Sequence, residues 1–420
     1  MTALMTRKKS LYPYSADAIF PLHTVATTPK RGMKLVDLRS LGFLPAMGGG
    51  AELTGDRKRG YNAAADLVTQ TSDGVDLNEL WDEYSATVAL ANQERQLMID
   101  FLTFPVTNST ERVAQISGAD FEKASEYGEP VGVRPGASYF TLGYDLEWYD
   151  LAARYTWKFL ADAPRNQVDA INAQALEADN RLIFNKVMDA LFNPVNRTAD
   201  INGVQDVNVY ALYNADGTVP PAYKSYTHDG THTHYITSGA ATIDSGDIDT
   251  MVDDLVSHGY SKANGMTIVA LLNRREASVA RTWRVANGDS NDFIPATGQP
   301  GLFLPRDVEL FGGQPSSTFQ GLNVIGSYGD VLLIEEDTIP VGYVPMIATG
   351  GRANLNNPVG LREHDNTSLR GLRLVKGPNP DYPLIDSFYN RGFGTGVRQR
   401  GGAIIMQITA SAAYTKPSGF

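Results

Sequence analysis

The stretch from Pro164 to Asn193 constrains this chain more than any other feature. Proline suits a first helical turn, because its φ is already fixed and its missing N–H is not needed there. Asp162 is placed to support that end as a cap or dipole partner. From Val168, the residues Ile171, Ala175, Ala178 and Leu182 recur at three- and four-residue spacing, and Leu176, Ile183, Val187 and Leu191 form a second line. This pattern predicts one helix with polar Asn172, Asp179 and Lys186 on the opposite side. It stops at Phe192-Asn193-Pro194, since Asn tolerates a left-handed conformation and Pro cannot continue the ladder. At 1.5 Å per residue the rod is roughly 43 Å long, well beyond the usual three or four turns.

An aromatic extended segment leads into the rod. Tyr144, Leu146 and Trp148 alternate with Asp145, Glu147 and Tyr149, a strand-like period of two. Tyr155, Trp157 and Phe159 continue it on aromatic enrichment, although Leu151, Tyr155 and Phe159 also fit a helix. Val113 to Lys123 is a weaker extended stretch, and the Gly/Pro run Gly128 to Gly136 between the two reads as an open tip. Together they form a long two-stranded arm. Such a ribbon is marginal alone in water, so its aromatics need a surface, either the rest of the chain or another copy.

A chain of 420 residues has the length of two or three compact units, and its 42% hydrophobic content supports a core. No apolar run approaches the length a membrane-spanning helix needs. No apolar run follows Arg7-Lys8-Lys9, so no secretory signal is expected. The absence of cysteine excludes disulfides, thiolate metal sites and cysteine nucleophiles. The net charge of −11 is uneven: Arg7, Lys8, Lys9, Lys30, Arg31, Lys34 and Arg39 face only Asp17 and Asp37 within residues 1–39. That basic arm can be a solvated tail, or it can touch nucleic acid or an acidic patch on a sister subunit. The acidic body disfavours a tight grip on duplex DNA.

Residues 1–75 read as irregular, and Asp76 with Glu79 suggests a capping box for a second helix. Its face carries Leu77, Leu80, Trp81, Tyr84, Val88, Ala91 and Met98, and it fades near Phe101 to Pro105. Residues 194–242 are turn-rich. Asp244 or Ser245 then caps a helix ending at His258-Gly259, Met266 to Leu272 reads as a buried strand, and Asn273 with Glu276 suggests a further capping box for a helix through Val279 to Trp283. Strands are expected at Leu322–Ile325, Val331–Ile334, Val341–Ile347 and Val397–Thr409, with a loop over Gly350–Asn366. No internal repeat indicates a solenoid or propeller.

Candidate chemistry is sparse. His228, His232 and His234 with Asp229 are the best metal-like group, and imidazoles two residues apart on a strand would share a face. They lie in a Gly/Thr-rich loop without a carboxylate at motif spacing, so surface hydrogen bonding is expected and no metal site is assigned. Glu335-Glu336-Asp337 has no base tied to it and reads as a solvated turn. Gly392-Phe393-Gly394-Thr395-Gly396 precedes a strand where a phosphate cradle would open a helix, so it reads as a flexible turn. No P-loop, GxSxG or HExxH is present. No catalytic, cofactor-binding or metal residue, and no cofactor, is therefore expected.

A basic arm, a helix, a two-stranded extended loop and a strand entering a long helix resemble the HK97-like major capsid proteins of tailed phages. Leu146-Glu147-Trp148-Tyr149 through Thr156 to Pro164 looks like the strand that leaves the extended loop and enters the spine helix. Val397-Arg398-Gln399-Arg400-Gly401-Gly402-Ala403-Ile404-Ile405-Met406, with Ala413-Tyr414-Thr415-Lys416-Pro417, resembles the closing arginine-containing strand and tail, closest to phages of actinobacteria. The resemblance implies an α+β fold: an N-arm (1–75), an N-terminal helix (76–105), an extended loop (106–160), a P-domain (161–244) with spine helix 164–192, an A-domain (245–380), and P-domain return strands with a tail (381–420). It implies a non-enzymatic subunit of hexamers and pentamers in an icosahedral virion shell, assembled in the bacterial host cytoplasm. That shell encloses double-stranded DNA without sequence-specific contact or membrane, with portal, scaffolding and decoration proteins as further partners. Some members crosslink a loop Lys to a neighbour's Asn. Here Lys123 is the sole Lys between Ser117 and Tyr155, away from the tip, and Asn354, Asn356, Asn357 and Asn366 are partner candidates, so crosslinking is not expected. The alternatives are an encapsulating-compartment shell protein of the same fold, or a metal-dependent enzyme using the His228/His232/His234 loop.

Overall fold

The computed structural model describes residues 68–93, 97–114, 126, 139–201, 205–298, 314–378 and 381–420. The expected arm up to residue 67, Lys123 and the Gly/Pro tip lie outside them. Helices α1 (Leu77–Gln93) and α2 (Leu97–Leu102) come first, and α2 runs directly into β1 (Thr103–Val106). Strands β2 (Thr110–Ala114) and β3 (Tyr139–Gly143) pair antiparallel, followed by β4 (Glu147–Ala153), α3 (Trp157–Asp162) and α4 (Arg165–Phe192). Next come the hairpin β5 (Arg197–Ile201) and β6 (Gln205–Val209), then β7 (Tyr235–Thr237), α5 (Ser245–Ser257), β8 (Thr267–Leu272) and α6 (Arg274–Ala280). The chain ends with β9 (Phe293–Pro295), β10 (Thr318–Phe319), β11 (Leu322–Tyr328), β12 (Val331–Glu335), β13 (Tyr343–Thr349), β14 (Val359–Glu363), β15 (Leu372–Val375), β16 (Ser387–Val397) and β17 (Ala403–Gln407). Among the described residues no helix is long and apolar enough to cross a membrane.

Two sheets organise these elements. The larger runs β10-β11-β12-β8-β13-β17-β7, with β9 added on β11. Its apolar face packs on α5 and α6 through Ile248, Met251, Leu255, Ala277 and Ala280. The smaller sheet is built around β16, which pairs along one edge with β14 and β15 and along the other with β4, while β1 lies parallel to β14 at the sheet edge. Pro105 is tolerated in β1 because an edge strand does not need every N–H.

The rod forms as expected, as 28 residues. Pro164 is its extended N-cap, one position before the first turn, and Asn193 ends it at φ −86, not in the left-handed region. Val168, Ala175 and Leu176 pack with Leu77, Leu80 and Tyr84 of α1. Phe184, Val187, Met188, Leu191 and Phe192 enter a second core with α2 and both sheets. The rod thus joins two separate apolar clusters.

Several expectations are corrected. Asp76 caps α1 through Asn78 N–H at 2.7 Å, and the expected second helix is seen as α1 and α2, on either side of residues 94–96, which lie outside the described residues. The strand ends at Ala153, and Tyr155 instead precedes a short helix that contains Phe159: Thr156 Oγ1 accepts the Phe159 N–H at 3.2 Å, and the Tyr155 and Phe159 rings stack at 6.1 Å. Asn273 caps α6, but the Glu276 carboxylate accepts the Gly342 N–H at 3.0 Å and closes no capping box. The loop Gly350–Asn366 contains β14. The expected strand Val397–Thr409 is split by a turn, so Arg398 and Arg400 lie between β16 and β17. β14 and β15 join β16, while β17 returns to β13.

The run Gly392–Gly396 is no turn. It is the buried middle and end of β16, and its glycines are spacing elements. A Cβ on Gly392 would lie 2.6 Å from the Trp148 ring, one on Gly396 2.6 Å from the Gly143 carbonyl, and one on Gly394 2.0 Å from the Asp145 carbonyl. Gly394→Ala must therefore push the segment at Asp145, just before β4, away from β16, with an expected loss of about 1–3 kcal/mol. A denaturant midpoint equal to that of the unmodified protein would show that this contact is not tight.

Candidate functional site

The rod meets β16 and the root of the arm through a row of polar pairs. Asn172, Asp179 and Lys186 recur every seven residues, which keeps them on one helix face. That face is covered by other elements. Asn172 accepts from the Tyr389 hydroxyl, Asp179 receives the Arg391 guanidinium as a fork, and Lys186 reaches Glu147 of β4 at 2.9 Å. Tyr389 and Arg391 stand two apart on β16, so both point to the rod. The Asp179–Arg391 pair is buried on both sides. Burial pushes the Asp179 carboxyl up from its usual value, against the pull of Arg391. The Lys186–Glu147 pair is half-exposed and is worth little by itself.

The root of the arm is held at further points. Glu111 on β2 binds Arg398 at 2.9 Å and accepts from the buried Tyr144 hydroxyl at 3.0 Å. Asp145 pairs with Arg197 at 2.8 Å, and Arg197 also donates to the Thr395 hydroxyl. Phe140 packs on Tyr210 with the rings tilted and centroids 4.4 Å apart, and the Arg400 guanidinium lies 5.0 Å from the Tyr210 ring. Arg400 is itself buried, bonded to Asp216 at 2.8 Å and to the Ala211 carbonyl. Burial raises the Asp216 carboxyl, but hydrogen bonds from Asn196 and Thr218 and the Arg400 charge hold it at about 2. Three large apolar side chains of β3 and β4 are nonetheless exposed: Tyr139 is 64% exposed, Trp148 46% and Leu151 46%.

The histidine expectation is changed by the fold. His234 is fully buried, not a surface residue. His232, His234, His258 and Asp254 converge, with one ligand atom from each within 4.8 Å of the others. The missing carboxylate is Asp254 on α5, and His258 is the C-cap of the same helix. Burial alone raises the Asp254 carboxyl to about 6. Burial, then the neighbouring His228, holds His232 down at about 4 and His258 at about 3. Asp229 turns away to accept from Thr231, while His228 stacks on His258 at 4.1 Å. Sequence spacing hides this group, because its members come from a loop and a helix.

Other candidates resolve as structure. Glu335 pairs with Arg281, and Glu336 accepts from Thr338 at 2.9 Å within its turn. Among the crosslinking candidates, Asn357 is fully buried and bonded to the Thr349 hydroxyl and the Thr103 carbonyl, so it is unavailable to a neighbour.

No family model and no curated protein matches the sequence. A solved structure does: a chain of Mycobacterium phage Patience is 47% identical, with a TM-score of 0.67, over 87% of this chain and 97% of that one. The chain belongs to the HK97-like major capsid proteins of tailed phages. In this capsid protein the segment resembling the strand that enters the spine is β4, α3 and the start of α4. The expected kinship with phages of actinobacteria also holds. The capsid of an empty GTA particle (13% identity, TM-score 0.41, over 74% of this chain and 89% of that one) and an encapsulin complex from Synechococcus elongatus (12%, 0.39, 79% and 97%) also match. Both are too distant to decide function. The capsid protein is a shell subunit of the virion that associates with copies of itself.

Proposed function

We propose that this capsid protein assembles as hexamers and pentamers into the icosahedral shell around the double-stranded DNA of a tailed phage. Its loop 106–160 lies over a neighbouring subunit. The observation that carries this reading is the contrast at the arm: a root tied by Glu111–Arg398, Asp145–Arg197 and Lys186–Glu147, beside the exposed Tyr139, Trp148 and Leu151. A fixed root aims the arm, and the uncovered aromatic area is the kind of surface that subunit contacts bury. Residues 1–75 serve as an N-arm, 76–105 and 161–244 with the return strands as the P-domain, and the sheet around β8 and β13 as the A-domain. The acidic body keeps the wall from gripping packed DNA. Portal, scaffolding and decoration proteins complete the particle, and assembly takes place in the host cytoplasm. No catalytic step is required of the chain.

Expression of the full chain should yield closed shells by negative-stain electron microscopy, with five- and six-fold rings on their surface. A soluble monomer at all concentrations would count against the reading. Denatured particles should run as one band at monomer mass. A ladder of covalent multimers would instead restore crosslinking through Lys123 and one of Asn354, Asn356 or Asn366.

A further inference from the structure

Four of the chain's six histidines, His228, His232, His234 and His258, gather at one place beside Asp254. We propose that His232, His234, Asp254 and His258 form a structural site for one divalent transition-metal ion, with zinc the best match to the donor set. The proposal does not rest on the shell-forming role.

The distances suit such an ion. Tetrahedral zinc with bonds of about 2.0–2.1 Å sets its ligand atoms roughly 3.3 Å apart. Here His232 Nε2 lies 3.4 Å from Asp254 Oδ1, His234 Nε2 lies 3.8 Å from Asp254 Oδ2, and His258 Nε2 lies 2.8 Å from His232 Nε2. With a single Asp254 oxygen taken, the four ligand atoms lie within 4.8 Å of one another, so side-chain movements of about 1–1.5 Å close them to the tetrahedral value.

His234 supplies the independent observation. Its Nδ1 lies 2.6 Å from the Ala403 carbonyl, which can only accept, so Nδ1 carries the ring proton. Nε2 is therefore left with a lone pair. That atom is buried and has no hydrogen-bond partner, an unfavourable state unless something accepts the lone pair. It points toward the other three ligands. A backbone carbonyl on the far ring nitrogen is also the usual outer contact that fixes a metal-bound imidazole. The ring cannot simply swing away, because its backbone is fixed on both sides: the His234 N–H donates to Tyr213 O at 2.7 Å, and Ile405 N–H donates to His234 O at 2.8 Å.

Three neutral-type donors with one carboxylate suit zinc more than magnesium or calcium, which prefer oxygen ligands. With all four positions filled by the protein, no site is left open for substrate, so the ion acts as a clip and not as a catalyst. The clip joins the turn-rich segment before β7 to the C-terminal end of α5, and through His234 to β17. His228, stacked on His258, and Tyr213, whose ring stacks on His258 at 5.4 Å, wall the group from solvent.

The test uses the full chain, freed of metal and then dialysed against zinc or cobalt(II). The unmodified protein should hold about one ion per chain by mass spectrometry, and its cobalt form should show the intense visible bands of tetrahedral coordination. Asp254→Asn and His258→Ala should lose the ion, whereas His364→Ala, outside the group, should keep it. A chelator should lower the unfolding midpoint of the unmodified protein and leave that of Asp254→Asn unchanged. No ion in the unmodified protein, or equal uptake by Asp254→Asn, would overturn the proposal. If His258→Ala fails to fold, the near-isosteric Asp254→Asn decides. Shell formation is scored separately by microscopy, so either reading can fail alone.

Discussion

Replacing Arg391 by Met is expected to abolish shells. The guanidinium is the partner that the fold supplies to Asp179 in the middle of the rod, and both groups are buried. Removing one partner of such a pair strands the other charge, at about 3–5 kcal/mol, against a total domain stability of about 5–15 kcal/mol. The defect should shrink in acid. Burial already raises the Asp179 carboxyl, and without Arg391 its folded pKa rises further above the unfolded value. A group with a raised folded pKa holds its proton better when folded, so stability recovers as pH falls through that pKa. Denaturant midpoints of the variant and the unmodified protein should therefore lie closer at pH 5 than at pH 7. A double change, Asp179→Leu with Arg391→Met, should restore much of the loss. If it is no better than Arg391→Met alone, the pair is not the cause.

The second large effect is expected for Ala178→Pro. Proline here removes one backbone hydrogen bond and clashes with the carbonyl four residues back, costing about 3 kcal/mol or more and kinking the helix. The position matters more than the cost. Ala178 lies between the half of α4 that packs on α1 and the half that packs on α2 and the sheets. A kink there rotates one apolar cluster against the other and misaligns Asp179 with Arg391. Purified variant should remain subunit-sized by sedimentation and give no shells by microscopy. An exposed control one turn away, Arg181→Ala, should assemble normally. Normal shells from Ala178→Pro would remove α4 from its role as spine.

The rod and the buried strands β8, β12 and β13 were legible because each carries its own local signal: length and period for the helix, dense apolar runs for the strands. The helix α5 was legible down to its cap at Asp244. What failed depended on distant partners. Asn172, Asp179 and Lys186 read only as the polar side opposite the stripe, because nothing local names what covers them. Their partners Tyr389, Arg391 and Glu147 sit on other elements. Gly392–Gly396 lacks the apolar alternation of a strand, since what it packs against is supplied by Trp148, Asp145 and Tyr144. Tyr155 to Phe159 was misread because aromatic content outweighed one capping Thr156. At the histidines, His232 and His234 were visible in sequence, but Asp254 and His258 reach them only through the packing of α5.

The pairing of β16 with β4 and of Arg391 with Asp179 also sets a timetable for the newborn chain. The two members of that ion pair are 212 residues apart. At a synthesis rate of about 5–20 residues per second, the ribosome needs roughly 10–40 s to deliver the second after the first. Throughout that interval the rod lacks β16, and Asp179 has no buried cation to pair with. The last-made strands thus act as a completion signal: a subunit shows its finished surface only when nearly all of it has been translated.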